Sequence, residues 1–464
     1  MVTSPLSFTA LPLFAAQLDN LSTLGYQAMT PIQAQSLPLI LEGRDLIAQA
    51  KTGSGKTAAF GLGIVHKLDP SVYSTQALVL CPTRELAEQV ANELRRLARA
   101  VGNVKILTLC GGTPIRPQVE SVKFGAHVVV GTPGRLMDHI ERSTVDFSSV
   151  HTLVLDEADR MLDMGFYNDV AKVVAACPGS RQTLLFSATY ADDIRKASAR
   201  FLKKPAEIKV DAVHDAGQIE QRFYEIDADR RHAAVAQLLE HFRPESTLAF
   251  CNTKAQCRDL AQYLESRGFS ALALHGDLEQ RDREDVLIQF ANRSCSVLVA
   301  TDVAARGLDI DALDAVINVE ITPDPEVHVH RIGRTGRGQD KGLALSLCAP
   351  YEMRWANQIE QYQGQAIVWA NPKSLKPAPG GRLRAPMVTL CIQGGKKDKL
   401  RPGDLLGALT KDAGFAAAQV GKINILEFVS FVALERGMAK DAYAKLSAGN
   451  IKGRRFKMRF MAEV

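Results

Sequence analysis

Two successive α/β units built on parallel sheets, followed by a smaller α+β domain, form the architecture that the sequence predicts. Three observations carry this expectation. Short apolar runs alternate with amphipathic segments over most of the 464 residues, as in a doubly wound sheet. The alternation weakens at "KKPAEIKVDAVHDAGQ" (203–218) and then resumes. It breaks again at "NPKSLKPAPGGRLRAP" (371–386), rich in Pro, Gly and basic residues, and a β-α-β-β-α-β order follows. A chain of this length also exceeds what one core supports. The predicted divisions are 1–207, 219–370, a linker over 371–384, and 385–464.

In the first unit, Leu46 to Ala48, "ALVLC" (77–81), "KILTLC" (105–110), "HVVVGT" (127–132), "TLVLDE" (152–157) and "TLLFSAT" (183–189) read as buried parallel strands. "RELAEQVANELRRLARAV" (84–101) has the helical period between two of them. In the second unit the strands are "TLAFCN" (247–252), "SALALHG" (270–276), "SVLVAT" (296–301) and "AVINVE" (315–320). Two units patterned alike suggest a distant structural duplication.

The hydrophobic fraction is 46%, and no run approaches the length of a membrane span. The N-terminus lacks a basic region, and Asp19 closes its apolar stretch, so it reads as mature sequence. Eight scattered cysteines without a C-x-x-C fit the reduced thiols of a cytoplasmic protein. Residues 381–464 hold 16 Lys+Arg against 7 Asp+Glu, while the preceding 380 residues hold 40 basic and 44 acidic side chains. A nearly neutral body with a basic tail points to a polyanion-binding appendage.

"LIAQAKTGSGKTAAF" (46–60) places small residues and glycines between a strand and a helix start. Gly53, Ser54 and Gly55 allow a sharp turn whose N–H groups can face phosphate. Lys56 can reach the β- and γ-phosphates, and the Thr57 hydroxyl can hold Mg²⁺. Ala50 stands where such loops usually begin with glycine, and a small side chain suffices there. "TLVLDEAD" then supplies Asp156 for the metal and Glu157 as base for the attacking water.

The chain resembles the DEAD-box RNA helicases. The resemblance rests on "PTRELAEQ" (82–89), "GG" (111–112), "TPGR" (132–135), "DEAD" (156–159), "SAT" (187–189), "TDVAARGLDI" (301–310) and "HRIGRTGRG" (330–338) in one order. "GYQAMTPIQ" (25–33), with Phe8 upstream, belongs to the same set, so the motifs span roughly residues 8 to 340. The resemblance implies two RecA-like domains that share one molecule of ATP with Mg²⁺. It implies that Gln33 reads adenine, that Tyr26 stacks on the base with Phe8 nearby, and that Asp309 contacts ribose. Arg334 and Arg337 become arginine fingers on the γ-phosphate. His330 touches the DEAD segment, and Ser187 and Thr189 couple hydrolysis to strand separation. Arg84, Gly112, Thr132 and Arg135, with Arg283 and Thr301, line an RNA path of backbone contacts that carries little sequence information.

The tail order suits an RNA-recognition-motif sheet. Its stacking aromatics are missing: Cys391 and Val429 stand at two such positions, and Phe428 and Phe431 are expected on opposite faces of one strand. In "RRFKMRF", Phe456, Met458 and Phe460 alternate with Arg455, Lys457 and Arg459, giving a core side and a row of cations. Lys396, Lys397, Lys399 and Arg401 add a basic loop, and Lys452 another cation, for phosphates of structured RNA. "MVTLCIQGGKKDKLRPGDLLGALT" and "IKGRRFKMR" are similar to the tail of a bacterial DEAD-box subfamily that recognises a hairpin of 23S rRNA. The implied partner is 23S rRNA in large-subunit precursors. No motif suggests an obligate protein partner. A helicase acting on messenger RNA in cold shock or decay stays open, as does a non-enzymatic RNA clamp or chaperone. The intact set of Lys56, Asp156, Glu157, Arg334 and Arg337 argues against the clamp.

Overall fold

A computed structural model describes residues 6–50, 53–188, 195, 199–210, 219–305, 313–336, 341–379 and 383–462. Two compact units emerge, one up to Val210 and one from Ile219 onward. The first has β1 (Leu46–Gln49), β2 (Ala77–Leu80), β3 (Ile106–Leu109), β4 (Val128–Gly131), β5 (Thr152–Asp156), β6 (Gln182–Ser187) and β7 (Ala206–Lys209). They pair in the order β3-β4-β2-β5-β6-β1-β7, and every pair is parallel. β2, β4, β5 and β6 are buried at every residue, as strands covered on both faces must be.

The helices follow from their sequences. Arg84–Leu97 starts where the Thr83 hydroxyl accepts the Leu86 N–H, and Glu85 and Arg95–Arg96 match the helix dipole. Leu86, Ala87, Val90, Ala91, Leu94 and Leu97 form its single buried stripe. Pro31–Leu41 opens with a reciprocal cap between Thr30 and Gln33.

The second unit begins with a sheet of β8 (Ile219–Glu225), β9 (Thr247–Cys251), β10 (Ala271–Leu274), β11 (Val297–Thr301), β12 (Ala315–Asn318), β13 (Gly342–Cys348) and β14 (Trp369–Ala370). Its order, β10-β11-β9-β12-β13-β8-β14, repeats that of the first sheet strand for strand. All of its pairs are again parallel. The expected strands are present, and four more join them. β7 and β8 are partly exposed and polar, so they lack a buried strand's apolar signature; β14 has two residues. β13, apolar and almost wholly buried, went unread although its sequence carries the signal.

The same unit holds an antiparallel sheet of β15 (Met387–Ile392), β16 (Val420–Ile425), β17 (Ser430–Glu435) and β18 (Met458–Phe460), ordered β16-β17-β15-β18. Helices Pro402–Gly407 and Ala439–Ala448 complete the expected β-α-β-β-α-β order. Val388, Leu390, Ile392, Val432 and Leu434 pack with Leu405, Leu409, Ala442 and Leu446 as its core. The fold is thus two doubly wound parallel sheets plus an α+β domain. Phe428 departs from expectation: it precedes β17 and is 68% exposed, while Phe431 lies within β17, opposite Cys391.

Candidate active site and nucleic-acid path

The chemistry-bearing residues of the first unit gather beyond the carboxyl ends of its strands, where open α/β sheets bind ligands. After β1, the Ala50 N–H donates to the Ser187 carbonyl at the end of β6 (3.0 Å), which ties the loop start to the SAT segment. Lys51 and Thr52 lie outside the described residues. Gly53 and Gly55 have φ of 79° and 93°, a region that favours glycine. A Cβ at Gly55 would also stand 2.6 Å from Gln33 Nε2. Lys56 opens the helix Lys56–Lys67, and its buried ammonium donates to the Ala50 carbonyl at 2.9 Å. The lysine bridges the loop it would serve.

Asp156 ends β5 and is buried. Its Oδ1 accepts the Glu157 N–H at 3.1 Å. Burial pushes its carboxyl up to about 7; Lys56 opposes that rise and Glu157 adds to it. Glu157 sits at φ 53°, ψ 51°, a strained conformation for a non-glycine residue. Arg160 Nε lies 3.4 Å from Glu157 Oε2. Ser54 Oγ, Glu157 Oε2 and Ser187 Oγ are buried without a hydrogen-bond partner. Buried polar groups left in that condition call for a ligand, and an acidic carboxyl with hydroxyls and an ammonium suits a divalent cation with phosphate.

Gln33 is 1% exposed; its Oε1 accepts the Thr30 N–H (2.9 Å) and its Nε2 donates to the Gly55 carbonyl (3.1 Å). The adenine candidate therefore also braces the phosphate loop. Tyr26 and Phe8 meet edge to face at 6.2 Å between ring centroids. The Tyr26 hydroxyl donates to Glu93 at 2.6 Å, and burial with that bond pushes its pKa above the usual tyrosine range.

The RNA-path candidates of the first unit follow three neighbouring strands. Arg84 opens the helix after β2, Gly112 follows β3, and Thr132 caps the helix Pro133–Glu141 after β4. At Gly112, φ is 72° and a Cβ would overlap the Arg84 guanidinium. Arg135 donates to the Thr113 carbonyl (2.9 Å) and pairs with Asp138 (3.4 Å). In the second unit, Thr301 ends β11 and Arg283 donates to the Ala304 carbonyl at 2.7 Å. His330 lies on the helix Pro325–Ile332, and Arg334 follows it, 5% exposed. Thr189, Asp309 and Arg337 lie outside the described residues.

Sequence reasoning missed Arg331, which is 2% exposed. It donates to both Asp302 oxygens (2.7 Å each), to Asn252 Oδ1 (2.9 Å) and to the Glu320 carbonyl (2.9 Å). One guanidinium thus gathers the loops after β9, β11 and β12. The available signal was an arginine at a core position of an amphipathic helix.

In the tail, the basic loop and the turn at 452–454 converge. Lys452 Nζ donates to the Lys399 carbonyl (2.7 Å) and to Asp404 (3.2 Å). Arg454, absent from the expected set, faces Asp398 at 3.9 Å, and Lys397 faces Glu427 at 3.3 Å. Lys396 and Arg401 flank this loop as exposed cations. Arg455, Lys457 and Arg459 are exposed while Phe456, Met458 and Phe460 pack on the core. Arg459 stands apart from the loop group, paired across the ladder with Cys391 and acting on Asp285 of the second parallel-sheet domain.

A glycine-rich loop after β1, a buried carboxylate pair at the end of β5 and a second, similarly built sheet suit a nucleotide-driven enzyme. Residues 30–197 match the DEAD/DEAH box helicase family, 230–339 the helicase conserved C-terminal domain, and 389–460 the DbpA RNA binding domain. The chain is 52% identical to the ATP-dependent RNA helicase DbpA of Escherichia coli over 96% of this chain and 97% of that protein. It is 43% identical to the DEAD-box ATP-dependent RNA helicase CshA of Geobacillus kaustophilus, over 82% of this chain and 81% of the relative. Among solved structures it is similar to Saccharomyces cerevisiae Dbp5 bound to RNA and ADP BeF3, with TM-score 0.73, 29% identity and coverage of 79% and 96%. The chain belongs to the DEAD-box ATP-dependent RNA helicases and carries a DbpA-type RNA-binding domain. Among the described residues, no helix is long and apolar enough to cross a membrane.

Proposed function

We propose that this helicase opens short structured segments of 23S rRNA in large-subunit precursors of the cytoplasm, with the C-terminal domain as address and the parallel-sheet domains as motor. The observation that carries the address is the convergence of Lys396, Lys397, Lys399, Arg401, Lys452 and Arg454 on one end of a domain matching the DbpA RNA-binding family. Cations on loops suit phosphate and groove contacts to folded RNA.

For the motor, Gly53 to Thr57 would cradle the triphosphate, and Thr57 and Asp156 would hold Mg²⁺, which neutralises phosphate charge when bound. Glu157 would take the proton of the attacking water. Gln33 would read adenine, Tyr26 and Phe8 its ring face, and Asp309 the ribose. Arg334 and Arg337 would supply charge to the γ-phosphate, with His330, Ser187 and Thr189 relaying its loss. Arg84, Gly112, Thr132, Arg135, Arg283 and Thr301 would hold the RNA backbone.

ATPase stimulation by a panel of 23S rRNA fragments and unrelated RNAs tests this, comparing the natural chain with a variant in which Lys396, Lys397, Lys399 and Lys452 are glutamine. One 23S fragment should stimulate the natural chain at far lower concentration than the others, and the variant should lose that preference while keeping generic stimulation. Equal stimulation of both proteins by all RNAs would reject the address.

A further inference from the structure

An RNA-recognition-motif sheet stacks bases on aromatic rings of its outer face. This tail has no accessible ring there. Cys391 and Phe431 occupy that face and are 4% and 1% exposed, and beside them Thr389 Oγ1 meets Ser294 Oγ at 2.6 Å. The tail's other rings are engaged as well. Phe415 lies under Lys445 Nζ (4.7 Å), Tyr443 and Phe460 meet at 5.3 Å between centroids, and Phe456 packs on the core over Gly394. Phe428 differs: among the described residues of the tail it is the one exposed aromatic, at 68%.

Phe428 sits at the tip of the hairpin between β16 and β17. Ile425 pairs with Ser430, and the Leu426 N–H donates to the Val429 carbonyl (2.8 Å), which leaves Glu427 and Phe428 as a two-residue turn. Such turns ordinarily take glycine, asparagine or aspartate, so neither turn geometry nor core packing accounts for a phenyl ring. The turn is also held against the basic loop. Its Leu426 and Glu427 carbonyls accept the Lys396 and Lys397 N–H groups (2.9 and 3.0 Å), and Lys397 Nζ faces Glu427 at 3.3 Å. Ser430 Oγ, buried, donates to the Gly394 carbonyl at 2.6 Å. A Cβ at Gly395 would overlap both turn carbonyls, so only glycine allows this approach. The ring is thereby fixed beside Lys396, Lys397, Lys399 and Arg401.

We infer that Phe428 is a base-stacking subsite, which takes one unpaired base of the RNA whose phosphates those cations hold. A phenyl ring has no hydrogen-bonding edge, so it reads the presence of a stackable base at a fixed distance from the phosphates and not its identity. The tail's selectivity then has two parts: charge for the folded backbone, and a ring for a base left out of the helix. The inference rests on the tail acting as address.

The test uses the full chain and the 23S fragment selected above, with 2-aminopurine placed at each of its unpaired positions in turn. At one position the natural chain should change the probe's fluorescence, and Phe428→Ala should abolish that change. Phe428→Ala should also weaken fragment binding at least ~10-fold, as loss of a stacked base does. Phe428→Trp should hold affinity within ~3-fold of the natural chain, while Phe428→Leu, apolar without a ring, should bind as weakly as the alanine variant. An abasic nucleotide at the probed position should weaken the natural chain equally and leave Phe428→Ala no weaker than before. The slope of log affinity against log salt should stay the same in Phe428→Ala and become shallower by about 1 in Lys396→Gln. Fragment affinity kept within ~2-fold by Phe428→Ala overturns the subsite and leaves the ring to a protein contact. A Phe428→Leu chain that binds like the natural one overturns it too. A natural chain that selects no 23S fragment sinks the address reading itself, and this inference with it.

Discussion

The two parallel sheets share one strand order but are equipped differently. β1 of the first runs into Gly53, Gly55 and Lys56; β8, its counterpart, runs into Asp227, Ala228, Asp229 and Arg230, without glycine and with carboxylates that repel phosphate. β5 ends in a buried Asp156–Glu157 pair with an unsatisfied oxygen. After its counterpart β12, Glu320 is occupied: its carboxylate accepts from the Asn252 N–H (3.1 Å) and from Gln256, and its carbonyl accepts from Arg331. The other half of each sheet diverges less. Thr132 follows β4 and Thr301 ends its counterpart β11, both among the RNA-path candidates. The one strand order thus carries RNA-path candidates beside β4 and β11, and in the first copy a glycine-rich loop and a buried carboxylate pair as well. In the second copy, the space of that chemistry is filled by an internal ion-pair network.

That contrast can be broken at several points. The largest effect is expected at Arg331→Met, which strands Asp302 and should cost the second unit about 3 kcal/mol. Hydrogen exchange should show the loss there and leave first-unit protection intact; uniform loss would mean the network is not local. Next, Glu157→Gln should lower ATP turnover at least ~100-fold while ATP and RNA binding persist. Unchanged turnover would remove Glu157 as base. Gly112→Ala forces a strained φ and displaces Arg84, so RNA affinity should fall by about 10-fold at constant ATP affinity, equivalent to ~1.4 kcal/mol. Unaltered RNA affinity would take Arg84 and Gly112 off the path.

The pH effects, smallest when read per pH unit, have opposite signs in the two units. The Asp156 pKa is raised from 3.8 to about 7. Its folded form therefore binds the extra proton, and first-unit stability should fall by about 1 kcal/mol per pH unit as pH rises through that window. His328 is fully buried, and desolvation pulls it from 6.5 down to about 3. Its folded form binds fewer protons, so second-unit stability is complete above 6.5 and should fall by a similar ~1 kcal/mol per pH unit on acidification. Hydrogen exchange resolved by unit, with Asp156→Asn and His328→Gln as controls, separates the slopes. Parallel slopes in the two units would contradict both assignments.

Much of this was legible in the sequence because strands buried on both faces announce themselves as apolar runs, and because phosphate chemistry needs glycines and Lys56 in one short stretch. The outlying strands were harder: β8, flanked on its outer side by the two residues of β14, is "IEQRFYE", whose charged positions erase the apolar signal. Gln33's bond to Gly55 and the closure of the tail's outer face were invisible, since each joins residues far apart in the chain. The missing aromatic at Cys391 was visible, but its burial beside Asp285 and Arg281 of the helix Gln280–Ala291 was not. Arg331 shows the same limit: an arginine in a helix does not declare which loops it will gather.

All eight cysteines are buried, and burial raises the pKa of Cys110, Cys295 and Cys348 to about 12. With so little thiolate at neutral pH, these sulfurs are shielded from alkylating reagents by both access and ionisation. A single surface thiol placed on any domain could then carry a fluorophore or spin label without first stripping the native ones. Domain motion in this enzyme can be followed by spectroscopy in an otherwise unaltered molecule.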